Sequence, residues 1–540
     1  MVRELPRDTS ADYIVVGGGS AGAATARRIA DAGAEVLLLE AGGRNDSQLV
    51  RVPGMVGAMH GVGALQRSVT WQPRTSPQPH AADRRVSQMH GRGLGGGSAV
   101  NGMIWSRGHH KNYDDWAAAG CVGWSHADVL PIFKRMEAFE DGANDYRGGS
   151  GPIGVTRARD LAEVTEAFLG SLATTAGVAR NDDYNAAEQE GVSVAQWNAA
   201  GGRRQSSAEA YLRDAPPNLR VRTGAQVTRI LIDKGAAVGV EIATKRGTER
   251  LVAHQEVIVS AGSFRTAQLL MLSGIGPAAH LAEHGIAVLG DLPVGEGLQD
   301  HAVVPVVYNV TEGPILGPAK FVAAMAKERI RANSTFLGGS YMEGIAHLRS
   351  EFADGVPDLQ LFATPLGRRG ADATIPGVHP DIDGACFTVY LVLLYPESSG
   401  TVRLASRDPY AAPVIDPRYL SASADLDVLM SGLEIVREAM AHPGTAPYVR
   451  AEVAPGRAGT TPAAAREDAR RRISSVYHPT GTCRMGVDER AVVDPDLKVR
   501  GIERLRVADA SVMPSIPGGN TNAPSMMIGE RAAQLVLEDA

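Results

Sequence analysis

Two stretches near the end of this 540-residue chain carry side chains that can move a proton. The first, SSVYHPTGTCRMG, sets His478 just before a proline in a loop rich in Gly, Pro and Thr. An imidazole titrates near pH ~6.5, so a positioned histidine can take a hydroxyl proton at neutral pH. The second, SIPGGNTNAPSMMIGE, offers Asn520 and Asn522 ahead of a helix-forming run. Either amide can cap that helix, and Asn522 can also present its amide to a substrate oxygen. At the other end of the chain, Gly17, Gly19 and Gly22 spell G-x-G-x-x-G between an apolar run and a small-residue helix. A further stretch, GRGLGGGSAVNGMIWSRG, holds four glycines between Gly93 and Gly97, a backbone able to lie flat against a ligand.

The elements that must position these residues start with a βαβ unit over residues 13–40. Gly17 permits the tight turn out of the first strand, and Gly19 lets backbone approach a pyrophosphate. Gly22, with Ala23 and Ala26, lets the helix pack closely on the sheet. The helix N-terminus offers free N–H groups and a positive dipole end to phosphate. Glu40 ends the second strand, where its carboxylate can accept from both ribose hydroxyls and would repel a 2′-phosphate. That argues against NADP and leaves NAD and FAD open.

Composition bounds the rest. The chain exceeds one typical core, so two or more folding units are expected. It is 44% apolar and 21% charged, with a net charge of −6 and a pI of about 6.2. Nothing there attracts nucleic acid or an anionic membrane. The sequence shows no signal peptide and no apolar run of ~18 residues, so no membrane span is expected. Cys121, Cys386 and Cys483 are too scattered for a disulfide framework or a zinc site, so no metal is expected and a reducing, cytoplasmic setting is.

Along the chain, residues 42–85 read as a polar wrap over the cofactor unit, and helices are expected over 114–139 and 161–177. Residues 219–240 alternate like paired strands with a turn at Lys234-Gly235, and 254–277 read as strand, turn and helix. From about 311 to 464 the texture becomes that of an antiparallel sheet with helices at 320–331 and 425–441, the latter carrying Leu426, Leu429, Leu433 and Val436 on one side. The tail regains the cofactor-unit character, with a strand at 505–508 and a final helix from Asn522.

Taken in order, these motifs resemble the glucose–methanol–choline (GMC) oxidoreductases, a family of FAD enzymes, over nearly the whole length. The resemblance rests on GGGSAG with Glu40, on GRGLGGGSAVNGMIWSRG and on AGSFRTAQLLMLSGIGP. It rests further on LRVADASVMP, YHPTGTCRMG and GNTNAPSMMIGE. It implies an α/β fold: a Rossmann-like FAD-binding domain (p-hydroxybenzoate hydroxylase-like) from residues 1–155, 200–310 and 465–540. A discontinuous α+β substrate domain with an antiparallel sheet would come from 156–199 and 311–464. It also implies contacts to FAD from Gly17, Gly19, Ser20, Ala21, Gly22, Glu40 and Ala41 at the ADP end. Arg92, Gly93, Gly96, Gly97, Asn101, Gly102, Met103 and Ile104 would follow from the glycine loop. Val227 would meet the adenine, and Ala261, Gly262, Tyr477, Asp509, Ala510, Asn520, Asn522 and Ala523 would complete the set. His478 stands at the family's catalytic histidine and Asn522 at its His-or-Asn partner. The chain departs from the family in reading His90-Gly91-Arg92 for Arg-Gly-Lys and Gly97-Ser98 for Ser-Ser. Val100 replaces the histidine through which some members attach FAD, so a non-covalent FAD is expected.

The implied activity is alcohol oxidation by hydride transfer to flavin N5, with His478 as base and Asn522 on the same oxygen. A neutral primary alcohol, aryl or heterocyclic, is the expected substrate; Trp105, Phe362, Phe387 and Tyr390 are candidate pocket aromatics. Val476, two residues before His478, suits molecular oxygen as acceptor, with peroxide as product. The alternatives are a dehydrogenase using a quinone or other acceptor, on a sugar or choline-type substrate, and a flavin-containing hydroxynitrile lyase.

Overall fold

The computed structural model describes residues 9–61, 63–244, 247–313, 323–324, 326–327, 336–369 and 378–540. Its first sheet has seven strands in the order Leu219–Thr223, Val36–Glu40, Ser10–Val16, Gly247–Val259, Ala236–Thr244 and Gln226–Asp233, with Leu505–Val507 also pairing Gly247–Val259. The central pairs are parallel, Tyr13 opposite Val36 and Val257 opposite Leu505. Parallel strands covered on both faces are apolar throughout, and Ile14, Val15, Leu38, Val257 and Ile258 are fully buried.

The glycines and alanines of the first helix, Ser20–Asp31, do more than form a turn. The final helix, Asn522–Glu538, packs against it so closely that a Cβ on Gly529 would sit 2.3 Å from the Ala21 carbonyl oxygen. Thr25 Oγ1 donates to the Gly529 carbonyl at 2.9 Å across the same contact. This packing carries Asn522, 502 residues away in sequence, to the side chain of Ser20.

The second sheet is antiparallel, in the order Val449–Ala454, Ala302–Val310, Cys386–Leu393, Leu359–Thr364, Gly344–Leu348 and Gly191–Val194. Helices Glu163–Thr175 and Ser423–Ala441 pack on one face, where Leu426, Leu429, Leu433 and Val436 are buried against Leu359 and Leu391. The other face presents Ile345, Phe362, Tyr390 and Val392 to Met103 and Ile104 of the glycine loop. Strand periodicity puts Gln360, Phe362 and Thr364 on that one face. Ser474–Ser475 adds to the edge of Ala302–Val310, which delivers the following loop, and His478 with it, to His301.

Several expectations need correction. Residues 114–139 form two helices, His110–Ala118 and His126–Met136, because Gly120 and Gly123 take positive φ between them and Ser125 caps the second in a capping box. Residues 42–85 are not only a wrap: they contain helices Gln48–Arg51, Val56–Gly61 and Gly63–Val69, and Val56, Gly57 and Trp71 line the central cavity. Leu219–Thr223 pairs parallel with Val36–Glu40 rather than with the strand that follows it. Ala302–Val310, grouped by sequence with the cofactor unit, is a strand of the second sheet; its run of buried valines reads the same in either sheet. The helix expected over 320–331 falls outside the described residues apart from 323–324 and 326–327. Among the described residues no helix is long and apolar enough to cross a membrane.

Candidate active site

A cavity of about 1250 Å³ runs between the two sheets. Small-molecule sites usually occupy ~300–1,000 Å³, so this one has room for a cofactor and a substrate together. At one end lies the glycine cradle. Gly17 has φ +105°, and a Cβ on it would sit 2.4 Å from the Ser260 carbonyl oxygen. A Cβ on Gly22 would sit 2.0 Å from the Gly17 carbonyl oxygen, whereas Gly19 meets only the Gly96 backbone at 3.8 Å and faces the cavity. Helix Ser20–Asp31 starts with no side-chain cap, which leaves its first N–H groups free for an anion.

Glu40 is buried, and its carboxylate is more occupied than the sequence suggests. Oε2 accepts from Gly18 N at 3.0 Å, and Oε1 accepts from Gly42 N at 2.7 Å and Gly93 N at 3.0 Å. Burial pushes its pKa up, and the three N–H donors oppose that. A carboxylate has about four acceptor positions, so Glu40 ties three glycine segments together and keeps one position for a ligand hydroxyl.

His478 also lines the cavity, on a loop whose preceding residue, Tyr477, is held at φ +65°. Its backbone N–H donates to Asp300 Oδ1 at 2.9 Å. Its Nδ1 lies 2.9 Å from His301 Nδ1, and its Nε2 lies 3.3 Å from Asn520 Nδ2. The tautomers follow from His301, which is fully buried with a pKa pushed down by burial to about 3, hence neutral. His301 Nε2 is 2.9 Å from the Leu394 carbonyl, which can only accept, so the single His301 proton is on Nε2. His301 Nδ1 is therefore a bare acceptor, and His478 Nδ1 carries the proton between them. His478 Nε2 is left as a lone pair at the cavity wall. Burial, with His301 beside it, holds the His478 pKa well below the ordinary imidazole value.

The partner amide is Asn520 and not Asn522. The Asn522 Oδ1 accepts from Ser20 Oγ at 2.8 Å, which turns that side chain toward the cradle, while its Nδ2 is buried without a protein partner. The resemblance puts Asn522 beside His478; the packing of the final helix on Ser20–Asp31 instead sets Asn522 against Ser20 and leaves Asn520 beside His478. Asn101 is clamped by the buried Arg204, whose Nη1 donates to the Asn101 carbonyl and to Oδ1, each at 2.7 Å. The Asn101 N–H2 is thereby turned away from the clamp on a residue that lines the cavity.

The cavity brings together Gly17, Gly19, Ser20, Ala21, Glu40, Ala41, Gly96, Gly97, Asn101, Gly102, Met103, Ile104, Val227, Ala261, Gly262, Tyr477, His478, Asp509, Ala510, Asn520 and Asn522. Four expected residues do not line it. Gly22 and Ala523 are packing positions inside their helices, Gly93 donates to Glu40, and Arg92 stacks over Trp71 at 4.5 Å. Of the aromatic candidates, Phe362 and Tyr390 line the cavity, whereas Trp105 and Phe387 are core. Sequence reading missed His301, Arg204 and Gln360; Asp300-His301 in VGEGLQDHA, a polar pair leading into a valine-rich strand, was the available signal for the first.

These residues fit FAD. The cradle opens where a phosphate needs backbone N–H groups, Glu40 retains an acceptor position, and the orphaned Asn522 amide lies beside Ser20 at the helix start.

Comparison with known proteins agrees. The N-terminal GMC oxidoreductase family model matches residues 11–303, and the C-terminal one matches 396–529. The chain is 37% identical over 542 residues to an alcohol dehydrogenase [acceptor] of Pseudomonas putida, covering 97% of this chain and 95% of that one. Pyridoxine 4-oxidase from Mesorbium loti superposes with a TM-score of 0.86 at 29% identity, over 97% of this chain and 98% of its own. A formate oxidase from Aspergillus oryzae RIB40, solved for the effect of a mutation on its FAD modification, gives 0.90 at 26% identity over 99% of each chain.

Proposed function

The chain belongs to the GMC oxidoreductase family with FAD as its cofactor, and we propose that it oxidises a neutral primary alcohol, aryl or heterocyclic, to the aldehyde. The observation that carries this reading is the unprotonated Nε2 of His478 at the cavity wall, an acceptor 3.3 Å from the Asn520 amide. When bound, FAD supplies a two-electron acceptor for the hydrogen on the alcohol carbon. The protein does the rest. Backbone N–H groups of Gly19 to Ala21 take the phosphates, Glu40 a ribose hydroxyl, and Asn101, Asp509 and Ala510 the ring end. Val100 offers no nucleophile, which supports a non-covalent cofactor.

The substrate hydroxyl replaces the Asn520 N–H at His478 Nε2, which accepts the hydroxyl proton, while Asn520 Nδ2 donates to the same oxygen. The resulting imidazolium keeps its Nδ1–H on His301 and faces the oxygen as negative charge builds there. A pair of preorganised groups in a dry pocket spends no reorganisation energy at that moment. Met103, Ile104, Phe362, Tyr390 and Val476 give the nearby wall an apolar, partly aromatic surface suited to a flat ring. The likeness to an enzyme named for pyridoxine supports a heterocyclic alcohol within that class.

Molecular oxygen is the proposed acceptor, supported by Val476 at the cavity wall and by the two neighbours named as oxidases. The Pseudomonas putida relative, named for an unspecified acceptor, favours a second reading, electron delivery to a quinone or dye. The test is an alcohol panel under anaerobic conditions, read as bleaching of the bound FAD, followed by air and a peroxide assay. Bleaching without peroxide leaves the dehydrogenase reading; turnover without bleaching defeats both.

A further inference from the structure

We propose that Gln360 is a positioning residue, the start of a one-way hydrogen-bond chain that holds the Asn520 N–H2 toward the reacting oxygen. This deepens the proposed function and rests on its assignment of His478 as base. Gln360 is fully buried on strand Leu359–Thr364 and outside the cavity lining. Its Nε2 lies 2.9 Å from His347 Nε2 and 3.4 Å from Asn520 Oδ1.

Each orientation along this line is forced by the next. His301 must keep its proton on Nε2 for the Leu394 carbonyl, so His478 must keep its own on Nδ1. His478 Nε2 is then an acceptor, and of the two ends of the Asn520 amide only the N–H2 can face it. That turns Asn520 Oδ1 toward Gln360, which must answer with its own N–H2. His347 can take that answer: it is fully buried and neutral, its pKa pushed down by burial to about 3, and with its one proton on Nδ1 its Nε2 accepts from Gln360 at 2.9 Å. Donation therefore runs in one direction, from Gln360 to Asn520, His478, His301 and the Leu394 carbonyl. Aligned bonds of this kind polarise one another. Reversing any member sets lone pair against lone pair or N–H against N–H. The arrangement leaves His347 Nδ1 and Gln360 Oε1 buried without partners, a cost borne at the one place where the amide orientation is set.

The groups that face His478 are His301 at Nδ1, Asn520 at Nε2 and Asp300 at the backbone N–H. Asp300 is itself held by Ser475 Oγ at 2.6 Å, Gln88 Nε2 at 3.3 Å and the Tyr419 hydroxyl. Tyr477 is the flanking titratable residue. Of these groups only Asn520 is in contact with Gln360.

The variants Gln360→Glu and Gln360→Leu test the chain. A carboxylate cannot donate, so in Gln360→Glu the Asn520 amide turns its N–H2 to residue 360 and its Oδ1 to His478, which is then satisfied only when protonated. The acid limb of the pH profile for anaerobic FAD reduction should move up by about one unit or more. The pH titration of the bound FAD visible band, recorded without substrate, should move with it. Gln360→Leu should slow reduction about tenfold at unchanged FAD content. Unshifted pH profiles and titrations in Gln360→Glu, with an unchanged rate in Gln360→Leu, overturn the proposal. If Gln360→Glu does not retain FAD, the rate of Gln360→Leu decides alone. If no alcohol bleaches the wild type, the function reading fails, and the substrate-free titration still judges Gln360.

Discussion

His301 and His478 meet nitrogen to nitrogen, Nδ1 to Nδ1 at 2.9 Å, with their rings at 84°. The contact is a hydrogen bond only if one ring donates and the other accepts. The Leu394 carbonyl makes His301 the acceptor, so a residue outside the cavity lining sets which nitrogen of His478 faces the cavity. The expected result is that His478→Ala keeps bound FAD and loses about 10²–10⁴ in the rate of anaerobic FAD reduction. His301→Leu should lose about 10² with the same FAD content, because His478 can then take either tautomer. Stopped-flow bleaching measures both, and a normal rate in His478→Ala removes it as the base.

Asn520 and Asn522 stand two residues apart and should separate cleanly. Asn520→Ala removes the donor beside His478 Nε2 and should slow reduction by about 10–100-fold at full FAD occupancy. Asn522→Ala breaks the bond to Ser20 Oγ and should act on FAD retention first, read as a fall in the flavin-to-protein absorbance ratio after gel filtration. Equal losses of rate and equal occupancy in the two variants would return both to one role.

The cradle was legible because its constraints are local. Gly17, Gly22 and Glu40 lie in one βαβ unit, and strand period, helix period and turn chemistry agree there. The second sheet was legible in part: Leu426, Leu429, Leu433 and Val436 mark a helix face from period alone. What stayed hidden depends on contacts far apart in sequence. The placement of Asn520 and Asn522 follows from a helix packing against residues 20–31, and that of His478 beside His301 follows from a strand edge, Ser474–Ser475 on Ala302–Val303. Gln360 reads in sequence as one polar residue in an apolar strand, and only the neighbouring His347 and Asn520 give it a task.

Gly22→Ala should give a protein that does not hold FAD. The added Cβ would lie 2.0 Å from the Gly17 carbonyl oxygen, backbone that cannot yield without opening the turn at φ +105°. By contrast Gly43→Ala, with nothing within 4 Å of the added methyl, should purify yellow and match the stability of wild type to within about 0.5 kcal/mol. FAD content by absorbance and thermal unfolding with and without added FAD distinguish the two.

Acid should destabilise the fold earlier than its carboxylates require, because it carries histidines buried in the neutral form. Burial lowers the folded pKa of His301 and His347 to about 3. In the unfolded chain a histidine titrates near ~6.5. Between those values the unfolded state binds protons that the folded state refuses, so stability is full above about pH 6.5 and falls as pH drops, by up to about 1.4 kcal/mol per pH unit for each such residue. Glu40, Asp300 and Asp509 act in the opposite sense, since burial raises their folded pKa values and they favour the fold as pH falls toward the carboxylate range. A raw pH–stability curve therefore mixes both signs, and the informative quantity is a difference between variants. His347→Gln removes one neutral buried imidazole and keeps an acceptor for Gln360. Its melting temperature should fall less than that of wild type between pH 7 and 5. An equal fall in the two proteins would mean that His347 takes up its proton inside the fold, and that the Gln360 amide does not depend on a bare His347 nitrogen.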